Sequence, residues 1–237
     1  MIYLYVLLVI GLLILVHELG HLFAARLVSI PVKTFSIGFG PRLTGFIRRG
    51  TDYRLAVIPL GGYIEPALAS EEELYAIPLF HRIIFTLGGV AANIALAVVL
   101  LCLFKMLSRD VSFLSALLWA GKNCVSLMLQ IFAALPSIFT QSGDLVGIIG
   151  IVHQGGALMD GDYLQLLAFA GILSLNLAAI NLLPLPVFDG GRVLLFILEK
   201  AVPPIRKASA RLAVAGWMVI IGLTLLATSN DLARIIT

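Results

Sequence analysis

IYLYVLLVIGLLILVHELGHLFAA, residues 2–25, is the stretch on which the fold turns. Its length suits one helical crossing of a bilayer, which needs ~20 apolar residues. Near its end it carries His17, Glu18 and His21. Ionisable side chains inside a span are costly and mark function by default. Residues four apart share one face of a helix, so both imidazoles can reach a single tetrahedral metal. Glu18 stands beside them, able to take a proton from water. With four His and six Glu in 237 residues, roughly 0.002 such matches are expected by chance, so the false-positive risk of the motif is small. The stretch lacks a basic leader and a small-residue cleavage site, and is read as a retained span and not a signal peptide.

The remainder of the chain agrees with a membrane setting. Of the 237 residues 60% are apolar and 12% charged, with mean hydropathy +1.06. Soluble domains carry about 25% charged residues, so a water-soluble globule and a disordered chain are both excluded. The composition predicts an all-α polytopic membrane protein, a single membrane-embedded domain over 1–237 with about four transmembrane helices. These are expected at 2–25, 83–104, 163–183 and 212–227. A fifth apolar stretch, 111–135, holds Gly121, Lys122 and Asn123 at its middle. A bare lysine facing lipid is expensive, so interfacial helices are expected within 111–140 instead of a crossing.

Basic residues orient the chain. Seven lie between the first two spans and five between the last two, against four on the other side. The positive-inside rule then puts the larger groups in the cytoplasm, with both termini outside. The expected location is a membrane crossed several times, with the lipid bilayer as partner and no nucleic acid. Cys102 and Cys124 stand alone in apolar sequence and form neither a disulfide framework nor a cysteine metal site.

Residues 33–65 break the helical pattern. KTFSIGFGPRLTGF and TDYRLAVIPLGGY are rich in β-branched and aromatic residues on either side of Arg48-Arg49-Gly50, which predicts a membrane-associated β-hairpin after the first helix. Gly61-Gly62 is read as a turn. Residues 66–80, with Glu71, Glu72 and Glu73, are expected to form a solvated acidic loop. Two helical histidines leave a catalytic zinc one protein ligand short. Asp189 follows the cytoplasmic end of a span running in the same direction as the first, and is favoured as that ligand over a role as a helix N-cap. His81 and His153 are expected to be ordinary interfacial residues.

HELGH in the first span, paired with NLLPLPVFDGG at 181–191, resembles the site-2 protease family of intramembrane zinc metalloproteases, and within it the bacterial RseP type. FSIGFGP at 35–41, TDYRLAVIPLGGYIEP at 51–66 and GGVAAN at 88–93 agree in order and spacing. The resemblance implies Zn2+ held by His17, His21 and Asp189, with Glu18 as general base. It implies that Asn93, Asn176 and Asn181 serve substrate binding, and that Pro184 and Pro186 shape the broken end of the third span; read from the residues alone, the three asparagines equally fit hydrogen bonding between helices, above all Asn93. The hairpin corresponds to the family's β-structure that engages substrate as an added strand. The substrate it implies is a transmembrane segment of a membrane-anchored protein, such as an anti-sigma-factor-like protein or a remnant signal peptide. There are two departures: residues 105–162 leave no room for a PDZ domain, and the family's Gly-Pro before the asparagine is Gly88-Gly89-Val90 here, expected only to soften a helix start.

Read from the residues alone, the expected chemistry is peptide hydrolysis by a water-activating metal with a carboxylate base. A metal-ion transporter using the same ligands would call for further ionisable residues along the spans, and those at 83–104 and 212–227 have none to form a pathway. A non-proteolytic adaptor would have no need of Glu18.

Overall fold

The computed structural model describes residues 2–134, 147, 150–152, 163–202 and 205–236. Along them run α1 (Ile2–Leu27), β1 (Val32–Arg48), β2 (Thr51–Pro66), α2 (Glu71–Ala76), α3 (Leu79–Arg109), α4 (Phe113–Ala134), α5 (Tyr163–Asn181), α6 (Asp189–Ala201) and α7 (Ile205–Ile236). Among the described residues the protein is mostly helical with one small antiparallel sheet. In apolar surroundings a helix satisfies every backbone polar group from within the segment, and the apolar runs here become long helices. Five of them, α1, α3, α4, α5 and α7, are long and apolar enough to cross a membrane.

The fifth, α4, lies in the stretch 111–140 where interfacial helices are expected. Over the described part of that stretch the chain forms one continuous helix of 22 residues, and residues 135–140 lie outside the described residues. Gly121-Lys122-Asn123 does not interrupt α4, because each residue fits a helix. Asn123 donates its side-chain amide to the Trp119 carbonyl one turn back, 2.8 Å away, and Lys122 points to the exposed side. Ala116, Ala120 and Cys124, spaced four apart, form a buried stripe against Ala97, Leu101 and Cys102 of α3 and Leu175 of α5. Small residues at such spacing let helix backbones approach closely.

The chain divides into two compact units. One comprises 1–9, 94–179 and 210–237 and holds the small-residue stripe. In it the buried Asp231 of α7 accepts hydrogen bonds from the backbone N–H groups of Gly147 and Gly150.

The other unit, 10–93 and 180–209, positions the chemistry. Its core joins Leu22 and Ala25 of α1 to Ile30, to Val32 and Phe35 of β1, and to Phe85 of α3. The backbones of α1 and α3 nearly touch where Gly20 meets Gly88: a Cβ on Gly88 would lie 2.6 Å from the Ala24 Cβ. α6 is pinned to the start of α3 by Arg82, which donates to both carboxylate oxygens of Glu199 at 3.0 and 3.1 Å. The pair is buried, and the guanidinium lies over the Tyr75 and Phe196 rings. Residues 71–76, expected in a loop, form the short helix α2. The Ser70 hydroxyl accepts from the Glu73 N–H and Glu73 accepts from the Ala69 N–H, a reciprocal cap that starts the turn.

β1 and β2 are long bent strands folded into a wider sheet. Residues 34–37 pair with 62–65 on one side and with 52–55 on the other, and 52–55 pairs in turn with 44–47. Gly38, at φ +89°, sits at the bend of β1, where a Cβ would lie 2.5 Å from the Ile58 carbonyl oxygen. Gly61-Gly62 is not a turn but part of β2, Gly62 pairing with Ile37.

Candidate metal centre

α1 runs straight through HELGH, so His17 and His21 emerge one turn apart on a buried face while Leu19 faces outward. The third group arrives from a broken helix end. Leu183 precedes Pro184, and a residue before proline is disfavoured in a helix, so α5 stops at Asn181. The chain then turns through Leu182–Phe188, with the Leu183 N–H donating to the Ile180 carbonyl and the Phe188 N–H to the Leu185 carbonyl. The turn presses on the first residues of α6. A Cβ on Gly190 would clash with the Leu182 backbone, and one on Gly191 would lie 2.6 Å from the Pro186 nitrogen. Those two glycines let the turn fold down and hold Asp189 at the start of α6. Phe188 is the N-cap and makes no side-chain cap bond, so the Asp189 carboxylate is directed at the histidines.

The three groups converge. His17 Nε2 lies 3.2 Å and His21 Nε2 3.3 Å from Asp189 Oδ2, and the two nitrogens are 3.1 Å apart. All three residues are buried. A tetrahedral zinc with bonds of about 2.0–2.1 Å sets its ligand atoms roughly 3.3 Å apart, so this nearly equilateral triangle fits one face of that tetrahedron. Asp189 Oδ2 is shielded from solvent with no hydrogen bond of good geometry, as an oxygen reserved for a cation would be. Two nitrogens and one carboxylate oxygen are a donor set zinc accepts. Burial alone raises the Asp189 pKa, but the two imidazoles facing its carboxylate outweigh it and hold the carboxyl at about 2. The carboxylate is therefore ionised throughout the neutral range.

α3 supplies the surroundings of both rings. The His21 Nδ1–H donates to the Phe85 carbonyl at 2.9 Å. Asn93 places its amide 3.2 Å from His17 Nδ1. Gly89 lies between: a Cβ there would sit 2.5 Å from His21 Nε2 and 2.6 Å from His17 Nε2. Gly88-Gly89 falls inside α3, well past its first turn, so the pair does not soften a helix start. Gly88 admits α1, and Gly89 leaves room for the imidazoles. Glu18 is backed by the sheet, since a Cβ on Gly62 would lie 2.8 Å from the Glu18 Cγ. The resemblance ran through the stretches that hold Gly62 and Gly89 without giving either this role, and nothing marked the Phe85 carbonyl, because each acts through an absent side chain or the main chain.

Of the residues expected at substrate, Asn93 is fully buried with its amide against the His17 ring. Asn181 closes α5, half-buried, and Pro184 is exposed beside half-buried Pro186. Asn176 donates its amide to the Ile172 carbonyl of its own helix at 3.0 Å. His81 opens α3 away from the cluster, and His153 lies outside the described residues.

Comparison with known proteins agrees with this geometry. Residues 5–226 match peptidase family M50. A relative from Clostridium acetobutylicum, named as a candidate zinc metalloprotease, is 23% identical over 286 aligned positions covering 80% of this chain and 84% of the relative. Proteins with the same name from Campylobacter jejuni and Clostridium perfringens are 24% and 26% identical, covering 97% and 93% of this chain and 92% and 95% of their own lengths.

Proposed function

The chain belongs to peptidase family M50, and from that membership we propose that it is a zinc-dependent intramembrane endopeptidase, hydrolysing peptide bonds in or near transmembrane segments of membrane-anchored proteins. The observation that carries this reading is the buried triangle of His17 Nε2, His21 Nε2 and Asp189 Oδ2, with edges of 3.1–3.3 Å, on helices of a membrane protein. His17, His21 and Asp189 hold the ion. When bound, zinc supplies a Lewis acid for the scissile carbonyl and brings the pKa of water near neutrality. Glu18, adjacent in sequence to the first ligand, accepts the proton from the attacking water and returns it to the leaving amine.

A helical substrate hides its peptide bonds in its own hydrogen bonds and must be locally extended before it can be cut. Residues 62–65 form an outer edge of the sheet, and Gly62 abuts Glu18. An extended segment adding to that edge as a strand would run beside the base. Asn181, Pro184 and Pro186 stand on the turn that carries Asp189 and serve as substrate-side residues, with Asn176 joined to them by the resemblance. The substrates are single-span or anchored proteins of the anti-sigma-factor or remnant-signal-peptide kind.

For location we propose a bacterial plasma membrane with the site near the cytoplasmic face, because seven basic residues lie between the expected spans 2–25 and 83–104. α3 leaves the site and α5 returns to it, so the segment between them begins and ends on one side. With α4 along the surface, four crossings result and both termini lie outside.

The test is E18Q. It should retain zinc and lose cleavage of a helical reporter by 10²-fold or more, the usual weight of a general base. Cleavage equal to the parent would exclude Glu18 as base and, with it, this mechanism.

A further inference from the structure

We propose that Asn93 is a positioning residue whose amide, by turning over, accommodates either tautomer of His17 and holds the ligating one when the metal is bound. This rests on the zinc reading above. A neutral imidazole has one N–H and one lone pair, and only the lone pair binds a metal. The two histidines are controlled differently. At His21 the partner of Nδ1 is the Phe85 carbonyl, 2.9 Å away. A carbonyl can only accept, so Nδ1 keeps the hydrogen and Nε2 always presents its lone pair to the centre.

At His17 the partner is an amide, 3.2 Å from Nδ1 and on a fully buried side chain. An amide offers donors on one side and an acceptor on the other, with almost the same shape. With the amide nitrogen toward the ring, Nδ1 accepts and the Nε2–H can donate to the lone pair of His21 Nε2 at 3.1 Å. With the amide oxygen toward the ring, Nδ1–H donates to Asn93 and Nε2 is free to ligate. The exchange involves no change of net charge. His21 is preset for the metal by the main chain, and His17 is adjustable. Such outer partners commonly alter metal affinity 10–100-fold.

The experiment measures zinc affinity of the purified full chain in detergent by competition with a chromophoric chelator, for the parent, N93L and N93D. Circular dichroism of the metal-free proteins checks folding. N93L removes the acceptor at nearly constant volume and should weaken zinc 10–100-fold. N93D offers only acceptors, favours the ligating tautomer and should bind zinc as tightly as the parent or more so. A merely structural asparagine would give the opposite order, since a buried carboxylate is harder to accommodate than leucine. N93L within threefold of the parent, or N93D falling as far as N93L, overturns the inference while leaving the zinc centre standing. Should N93L not fold, N93D decides alone by the same criterion. A parent chain that takes up no zinc overturns both.

Discussion

Gly89→Ala is the smallest change that should break the metal centre without touching a ligand. A methyl at this position would lie 2.5 Å from His21 Nε2, 2.6 Å from His17 Nε2 and 2.7 Å from His17 Cε1. Ordinary carbon–nitrogen contact begins near 3.5 Å, so one or both rings must retreat by about 1 Å, several times the ±0.2 Å within which ligand distances must fall. Both rings are buried and α1 is held against α3 at Gly20 and Gly88, so neither helix can slide away. Loss of an outer-shell partner costs 10–100-fold in affinity. Displacing two ligands together should cost at least about 100-fold. Stability moves the other way, or little, because alanine is preferred to glycine inside a helix by about 0.8–1.0 kcal/mol. Gly121→Ala and Gly222→Ala, where a Cβ meets nothing within 4 Å, are the controls and should leave zinc affinity unchanged. Chelator competition gives the affinities, and thermal unfolding with and without EDTA separates metal binding from folding. Zinc bound by G89A within threefold of the parent would refute the close approach of α3 to the imidazoles.

Removing one partner of the buried Arg82–Glu199 pair, as in R82A, should destabilise the protein by about 3–5 kcal/mol by leaving a charge uncompensated, read as a fall in Tm. Replacing both partners with methionine should restore most of that loss, and a double variant no better than R82A would contradict the pairing. Gly62→Ala brings a methyl within 2.8 Å of the Glu18 Cγ and of the Ser36 carbonyl oxygen. It should lower kcat of reporter cleavage at least tenfold while zinc content stays at the parent level, the base being displaced but the ligands untouched; an unchanged kcat would separate the sheet from Glu18.

The ligands were legible because their signals are chemical. HELGH places two histidines one turn apart in a span, and an incomplete zinc site calls for a carboxylate at the depth where Asp189 falls. The hairpin at 33–65 was legible from β-branched and aromatic residues around Arg48-Arg49-Gly50, and the structure extends it by one residue at each end. The contacts made around the ligands were not. The Phe85 carbonyl has no side-chain signature, and Gly62 and Gly89 act by lacking one. Asn93 was legible in part: an asparagine in a span fits hydrogen bonding between helices as well as substrate binding, and the fold sets its amide 3.2 Å from His17 Nδ1. Lys122 weighs against a helix facing lipid all round, but α4 buries its Ala116, Ala120 and Cys124 stripe and leaves the lysine on its other face.

X-ray absorption at the zinc edge, on the purified chain loaded with one equivalent of zinc and on its Asp189→Ala variant, tests the convergence of α1 and α6 on one ion most directly. The parent should show two imidazole nitrogens and oxygen donors at about 2.0–2.2 Å, with no sulfur at about 2.3 Å. The variant should fail to retain the metal. Zinc held by sulfur in the parent, or retained by the variant in an unchanged environment, would contradict a centre built from His17, His21 and Asp189.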